Sequence, residues 1–166
     1  MIRKILHLDL DAFFCAVEEL RDPSLKGKPF AVGGSADLRG VVASCSYAAR
    51  MFGVRSAMPM RRALQLCPNL IVVSSRHSNY SEISKQVMAM INITPFIEKI
   101  SIDEAFMEVS DLQESLADIA KDLQQRVNTE MKLPISIGGA TNKLVAKIAN
   151  DWGKSQKKRP KPPNAI

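Results

Sequence analysis

A chain of 166 residues is long enough for one ordinary domain or for two small lobes. Its 46% hydrophobic and 24% charged residues exclude a disordered polymer, and no apolar run approaches the roughly 20 residues of a membrane helix. The formal net charge is +6, which directs attention to acidic partners such as nucleic acid.

The segment Ile5-Leu6-His7-Leu8-Asp9-Leu10-Asp11 alternates strictly. It predicts a strand with Leu6, Leu8 and Leu10 on one face and Asp9 and Asp11 on the other, near its C-terminal end. A helix is expected over residues 12–20, with Asp11 as N-cap and Arg21-Asp22-Pro23 as its stop. Residues 30–32 and 41–44 read as short strands divided by Gly33-Gly34 and Arg39-Gly40 turns. Short helices at 47–52 and 60–66 and a strand at 70–73 complete a set of pieces suited to a small lobe. Tyr80, Ile83, Val87, Met90 and Ile91 have helical spacing over residues 79–93, and Pro95 ends that helix. Strands at 97–102 and 105–109 flank Asp103-Glu104 as a hairpin. Asp111 is the expected cap of an amphipathic helix with Leu112, Leu116, Ile119, Leu123, Val127 and Met131 on one face. A strand at 134–138 and a helix at 143–152 follow, and residues 154–163 read as a basic, proline-rich linker.

The charge is segregated along the chain: −2 over residues 1–19, +7 over 20–76, −4 over 77–151 and +5 over 152–166. A basic surface beside an acidic one points to phosphate chemistry. The three cysteines, Cys15, Cys45 and Cys67, lack zinc-site spacing and nothing at the N-terminus resembles a signal peptide, which suits free thiols in a reducing cytosol.

With residues 20–76 set aside, the order is strand, helix, strand, strand, helix, strand, the split βαβ or ferredoxin-like pattern. In that fold the first strand lies antiparallel to the third, so Asp9 meets the turn at Asp103 and Glu104. Carboxylates gathered at one sheet edge repel, and a divalent metal relieves them. Oxygen-only ligands favour Mg²⁺ or Mn²⁺ over zinc. Two such ions about 3.5–4 Å apart serve in-line phosphoryl displacement. The plainer alternative leaves Asp9 as a strand-end residue and Asp103 and Glu104 as solvated hairpin acids.

His7-Leu8-Asp9-Leu10-Asp11-Ala12-Phe13-Phe14, Tyr47-Ala48-Ala49-Arg50, Phe52-Gly53-Val54-Arg55-Ser56-Ala57-Met58-Pro59, Ser101-Ile102-Asp103-Glu104-Ala105-Phe106 and Ala146-Lys147-Ile148-Ala149-Asn150-Asp151 stand in this order. Together they resemble the successive motifs of Y-family translesion DNA polymerases, in the DNA polymerase IV branch, from Met1 to about Lys154. The resemblance implies an α/β (α+β) fold. Its parts would be a ferredoxin-like βαββαβ palm of residues 1–18 and 76–166 and an inserted small α/β fingers lobe of residues 19–75. It implies lesion-bypass, error-prone DNA synthesis by nucleotidyl transfer from dNTP to a primer 3′-hydroxyl. Asp9, Asp103 and Glu104 would hold two Mg²⁺ ions, with Mn²⁺ able to substitute and the Leu10 carbonyl as a further ligand. Phe13, Phe14, Ser44, Tyr47, Arg50 and Lys154 would meet the nucleotide, with Phe14 as the steric gate against a ribose 2′-hydroxyl. The family places Pro-Asn-Gly after its triphosphate lysine; here Ser155-Gln156 follows Lys154, and Lys157 or Lys158 is the alternative. The resemblance also implies a monomeric cytoplasmic protein of bacterial type that binds primer–template DNA. The thumb and little-finger domains, and with them most duplex contacts and the sliding-clamp contact, are expected outside this chain, which leaves a fragment of weak activity.

Other readings stand beside these. Phe13 and Phe14 suit a helix core, Arg50 a solvated helix charge, and Met51, Met58 and Met60 ordinary core filler. Glu18, Glu19 and Glu108 read as solvated charges, Cys45 as an unreactive thiol, and His7 as a packed strand histidine. A nucleotidyl cyclase shares the acid logic but needs no steric gate. A non-enzymatic ferredoxin-like RNA-binding module needs sheet-face aromatics, and the chain has only six Phe, two Tyr and one Trp.

Overall fold

The computed structural model describes residues 2–156 and 161–166. In chain order its elements are β1 (Ile5–Leu10), α1 (Phe13–Arg21), β2 (Phe30–Gly33), β3 (Val42–Cys45), α2 (Tyr47–Arg50), α3 (Met60–Leu66), β4 (Ile71–Ser74), α4 (His77–Met90), β5 (Ile97–Lys99), β6 (Glu104–Glu108), α5 (Leu116–Arg126), β7 (Ile135–Ala140) and α6 (Lys143–Gln156). Among the described residues these form two compact units: 2–11, 81–156 and 163–166 in the first, 12–80 with 161–162 in the second.

The first unit is built on a four-stranded antiparallel sheet in the order β5-β6-β1-β7, the ferredoxin-like order expected from the sequence. The alternation of β1 explains its central place. Leu6, Leu8 and Leu10 are buried on the face covered by α5, whose Leu116 lies beside Leu6 at Gly139. His7 and Asp9 share the opposite face with Gly138 and Ser136, their register partners on β7. There α6 settles directly on the sheet, because a Cβ on Gly138 would come within 2.2 Å of the Ala146 carbonyl oxygen and 2.5 Å of the Asn150 nitrogen. Gly138→Ala is therefore expected to cost about 3 kcal/mol or more through overpacking against backbone. Urea denaturation measures it, and a loss below about 1 kcal/mol would contradict so close a helix–sheet contact.

The second unit carries a three-stranded sheet in the order β3-β2-β4, with β2 antiparallel to β3 and parallel to β4. Its core gathers Ala31, Val42, Cys45, Ala49, Val54, Met60, Ala63, Cys67 and Leu70. Helix α1 packs on β2 and β3, so it groups with this unit, whereas the expected palm includes residues up to 18. Helix α4 begins in this unit and continues into the first after Tyr80. Among the described residues no helix is long and apolar enough to cross a membrane, and all three cysteines are free and buried. Burial pushes the Cys15 thiol up to about 12.

Four local expectations are corrected. Asp11 does not cap α1: Ala12 stands at the N-cap in a left-handed conformation (φ 46°) and no side chain caps the helix. The cap of α5 is Ser115, whose hydroxyl accepts from the Asp118 N–H, and not Asp111. Glu18 is not solvated but buried, and it accepts a 2.7 Å hydrogen bond from the Tyr80 hydroxyl. Finally, α6 runs on to Gln156, so Lys154 is helical rather than the start of a linker. Residues 164–165 then lie along β7, where the Ile137 N–H donates to the Ala165 carbonyl at 2.8 Å.

Candidate active site

The acids meet because the register of the first sheet makes them meet. Asp9 of β1 is the direct antiparallel partner of Glu104, the first residue of β6. One step further, the Leu10 N–H donates to the Asp103 carbonyl at 2.9 Å and closes the ladder just before the turn. The Leu10 side chain is buried in the core, so only its backbone is available to the site.

Charge compensation in this edge comes from α6. The Lys154 ammonium lies 3.0 Å from Asp9 Oδ1 and 3.2 Å from Asp11 Oδ1, bridging the two carboxylates. Asp11 is 1% exposed and is further held by the Ser136 hydroxyl, at 3.0 and 2.8 Å from its two oxygens, and by the Asn164 N–H at 3.0 Å. Burial raises the Asp9 carboxyl above the usual range; Lys154 opposes this, while the nearby charges of Asp103 and Asp11 add to it.

Glu104 is bound differently. Its Oε1 receives His7 Nε2 at 2.6 Å and the Lys147 ammonium at 2.5 Å. Burial works against ionisation there, but the hydrogen bonds from Lys147 and His7 prevail and hold the carboxyl below its ordinary value. Lys147 is raised in turn, chiefly by its bond to Glu104. Asp103 accepts from the Ser101 hydroxyl at 2.7 Å.

As these side chains lie, no three His, Cys, Asp or Glu groups among the described residues are arranged to hold one metal ion. The donor chemistry nevertheless fits a hard cation. The ligands are all oxygen, burial with a smaller push from the neighbouring acids raises Asp9, and two lysine ammoniums already sit on them. Lys157 and Lys158, the alternatives to Lys154, lie outside the described residues.

The other candidates lie in the second unit. Phe13 is 2% exposed, in the core, whereas Phe14 is half-buried and stacks on Tyr80 with ring centroids 4.3 Å apart. Ser44 is buried and its hydroxyl bonds the Cys15 thiol. Helix α2 is capped by Ser46, which accepts from the Ala49 N–H and donates to the Lys28 carbonyl. That helix carries the Arg50 guanidinium 4.7 Å over the Tyr47 ring, with Arg50 Nε donating to the Cys45 carbonyl at 3.3 Å.

The chain belongs to the impB/mucB/samB family, whose model matches residues 8–151. The resemblance to Y-family DNA polymerases is thereby borne out. A DNA polymerase IV of Pseudomonas paraeruginosa is 52% identical over 157 residues, covering 92% of this chain and 45% of the relative. One from Pseudomonas fluorescens is 49% identical over 156 residues, covering 92% and 44%. Among solved structures, the crystal structure of DinB from Sulfolobus solfataricus superposes with a TM-score of 0.86 at 35% identity, over 91% of this chain and 46% of that one. An insertion ternary complex of Dbh DNA polymerase gives 0.85 at 34% identity, with coverage of 91% and 46%. The chain spans about half the length of the relatives it matches.

Several residues of the site escape a reading by motif. Ser136 interrupts the apolar run of β7 between Ile135 and Ile137, a polar residue on a buried strand, and that interruption was the available signal. Asn164 follows Pro163, so the Pro-Asn pair missing after Lys154 occurs further along and reaches Asp11. Asn150, 1% exposed in α6, touches His7, and Tyr80 supports both Phe14 and Glu18.

Proposed function

We propose that this chain carries the nucleotidyl-transfer site of a lesion-bypass DNA polymerase, adding deoxynucleotides to a primer 3′-end under the direction of a template. The observation that carries the proposal is the pairing of Asp9 with Glu104 across β1 and β6, with Asp103 beside them, on a fold shared with a polymerase ternary complex. Asp9, Asp103, Glu104 and the Leu10 carbonyl would hold two Mg²⁺ ions, with Mn²⁺ able to replace them. Bound there, the ions would lower the pKa of the 3′-hydroxyl and offset charge on the triphosphate. The primer 3′-hydroxyl gives up its proton to solvent as its oxygen bonds the α-phosphorus, the bond from that phosphorus to the bridging oxygen breaks, and pyrophosphate leaves.

The chain's own residues bind and select. Lys154 supplies a compact charge to the triphosphate and Arg50 a planar fork, kept in plane by the Tyr47 ring. Tyr47 and Ser44 complete that set. Phe13 supports Phe14, and the Phe14 ring, backed by Tyr80, meets the sugar where a ribose carries its 2′-hydroxyl. The basic second unit serves as the fingers, and the protein acts as a monomer in the bacterial cytoplasm. The clamp contact and most duplex contacts belong to parts of the longer relatives that this chain does not span.

Single-turnover primer extension tests the proposal, with the chain in excess over damaged or undamaged primer–template and with dNTP or rNTP. Mg²⁺-dependent, template-matched addition of dNTP is expected. Its absence together with absence of Mg²⁺-dependent dNTP binding overturns the proposal, and cyclic nucleotide formed from a triphosphate alone supports a cyclase in its place. In the same assay Phe14→Ala is expected to lower discrimination against rNTP on the order of 100-fold. An unchanged ratio removes Phe14 from sugar selection.

A further inference from the structure

Behind the acids of the first unit lies a buried hydrogen-bonded line that the polymerase reading does not use. His7 is fully buried, its ring tilted against Phe106 with centroids 4.8 Å apart. On one side its Nε2 meets Glu104 Oε1 at 2.6 Å. On the other its Nδ1 meets Asn150 Nδ2 at 2.9 Å.

The orientation of the Asn150 amide is settled by its surroundings. Its Nδ2 also lies 3.2 Å from the His7 carbonyl oxygen and 3.1 Å from the Ser136 carbonyl oxygen. Turning the amide over would set Oδ1 against both carbonyls, so the nitrogen faces them and donates. Its two hydrogens are shared among the two carbonyls and His7 Nδ1; an Nδ1–H would face an amide nitrogen that accepts nothing, so the His7 proton sits on Nε2, pointed at Glu104. This order leaves Asn150 Oδ1 buried with no hydrogen-bond partner among the described residues. An unsatisfied buried oxygen costs stability, which a side chain present only to fill space would not incur.

We infer that His7, its tautomer set by Asn150, is a positioning residue for Glu104, an inference that rests on the polymerase reading of the acids. The chain of cause begins at Gly138, which lets α6 approach close enough for Asn150 to reach His7. His7 and Lys147 both take Oε1 of Glu104, and Oε2 has no partner among the described residues. The carboxylate therefore enters the ligand set with one oxygen already fixed, as outer hydrogen bonds fix the ligands of metal sites in general. Lys147 is half-exposed on a long stem and lends charge, whereas the buried ring of His7 lends direction.

The first test needs no variant. The chain has only two histidines, His7 and His77, so a long-range proton–nitrogen correlation spectrum of the ¹⁵N-histidine-labelled protein resolves each tautomer. A proton on Nε2 of His7 is expected, and a proton on Nδ1 overturns the inference. The second test measures Mn²⁺ binding by the chain from the loss of the free-ion electron paramagnetic resonance signal, without turnover. His7→Phe keeps the ring without the donor and is expected to weaken Mn²⁺ binding about tenfold, while His7→Gln, with an amide N–H near the Nε2 position, recovers to within about twofold of wild type. Equal binding by His7→Phe and wild type overturns the inference while the polymerase reading stands. Failure of the wild-type chain to bind Mn²⁺ removes the polymerase reading itself.

Discussion

Asp103→Ala is expected to lower single-turnover nucleotide addition on the order of 1000-fold, the scale seen when a group that stabilises developing charge is removed. The fold should hardly notice. The Asp103 carboxylate is half-exposed and, among the described residues, accepts only from Ser101, and its backbone carbonyl, which the variant keeps, is what pairs with Leu10. A melting temperature close to wild type with extension abolished separates chemistry from stability, because exposed substitutions of this kind stay within about 0.5 kcal/mol. Extension that survived Asp103→Ala would remove the metal site from the proposal.

The second large effect runs the opposite way. Lys154→Ala leaves Asp9 and the fully buried Asp11 carboxylate facing each other without their shared ammonium. Breaking a fully buried ion pair costs about 3–5 kcal/mol, and the partial exposure of Lys154 and Asp9 reduces that here to about 2 kcal/mol. For a chain of this size the melting temperature should fall by about 4–8 °C. Added Mg²⁺ should restore more of the loss in the variant than it adds to wild type, since a cation replaces the missing ammonium. Affinity for dNTP should fall at the same time, as the proposed triphosphate partner is removed. Differential scanning calorimetry with and without Mg²⁺ measures the first effect and isothermal titration the second. A variant with wild-type melting and wild-type response to Mg²⁺ would show that Lys154 is not the counter-ion of this edge.

What could be read in advance follows the range of the interactions concerned. The alternation of β1, the helical spacing of α4 and α5 and the ferredoxin-like strand order are local patterns, and the structure bears them out. The meeting of Asp9 with Glu104 followed from that order alone. The capping rule misplaces Asp11 because it looks a few residues ahead, while its partner Ser136 is 125 residues away. Asn150 and His7 are 143 residues apart, and no spacing rule connects a helix asparagine to a strand histidine at that distance. Asp111 lost the cap of α5 to Ser115 because the helix begins later than its apolar spacing indicated. The nucleotide contacts proposed for Ser44, Tyr47, Arg50 and Lys154 rest on resemblance, since no physical rule singles out those residues among other polar side chains.

The six residues of β1 write two messages on alternate positions, the leucines for the core and His7 and Asp9 for the acid edge. A slip of one residue in its pairing would carry every side chain to the opposite face, setting the leucines against α6 and His7 and Asp9 against α5. Such a slipped chain would be mispacked on both faces and less stable, not an inactive rival of equal stability. Substitutions that loosen the strand's alignment thus cost stability together with the placement of the acids. The register that places the acids is held by the same leucines that build the core.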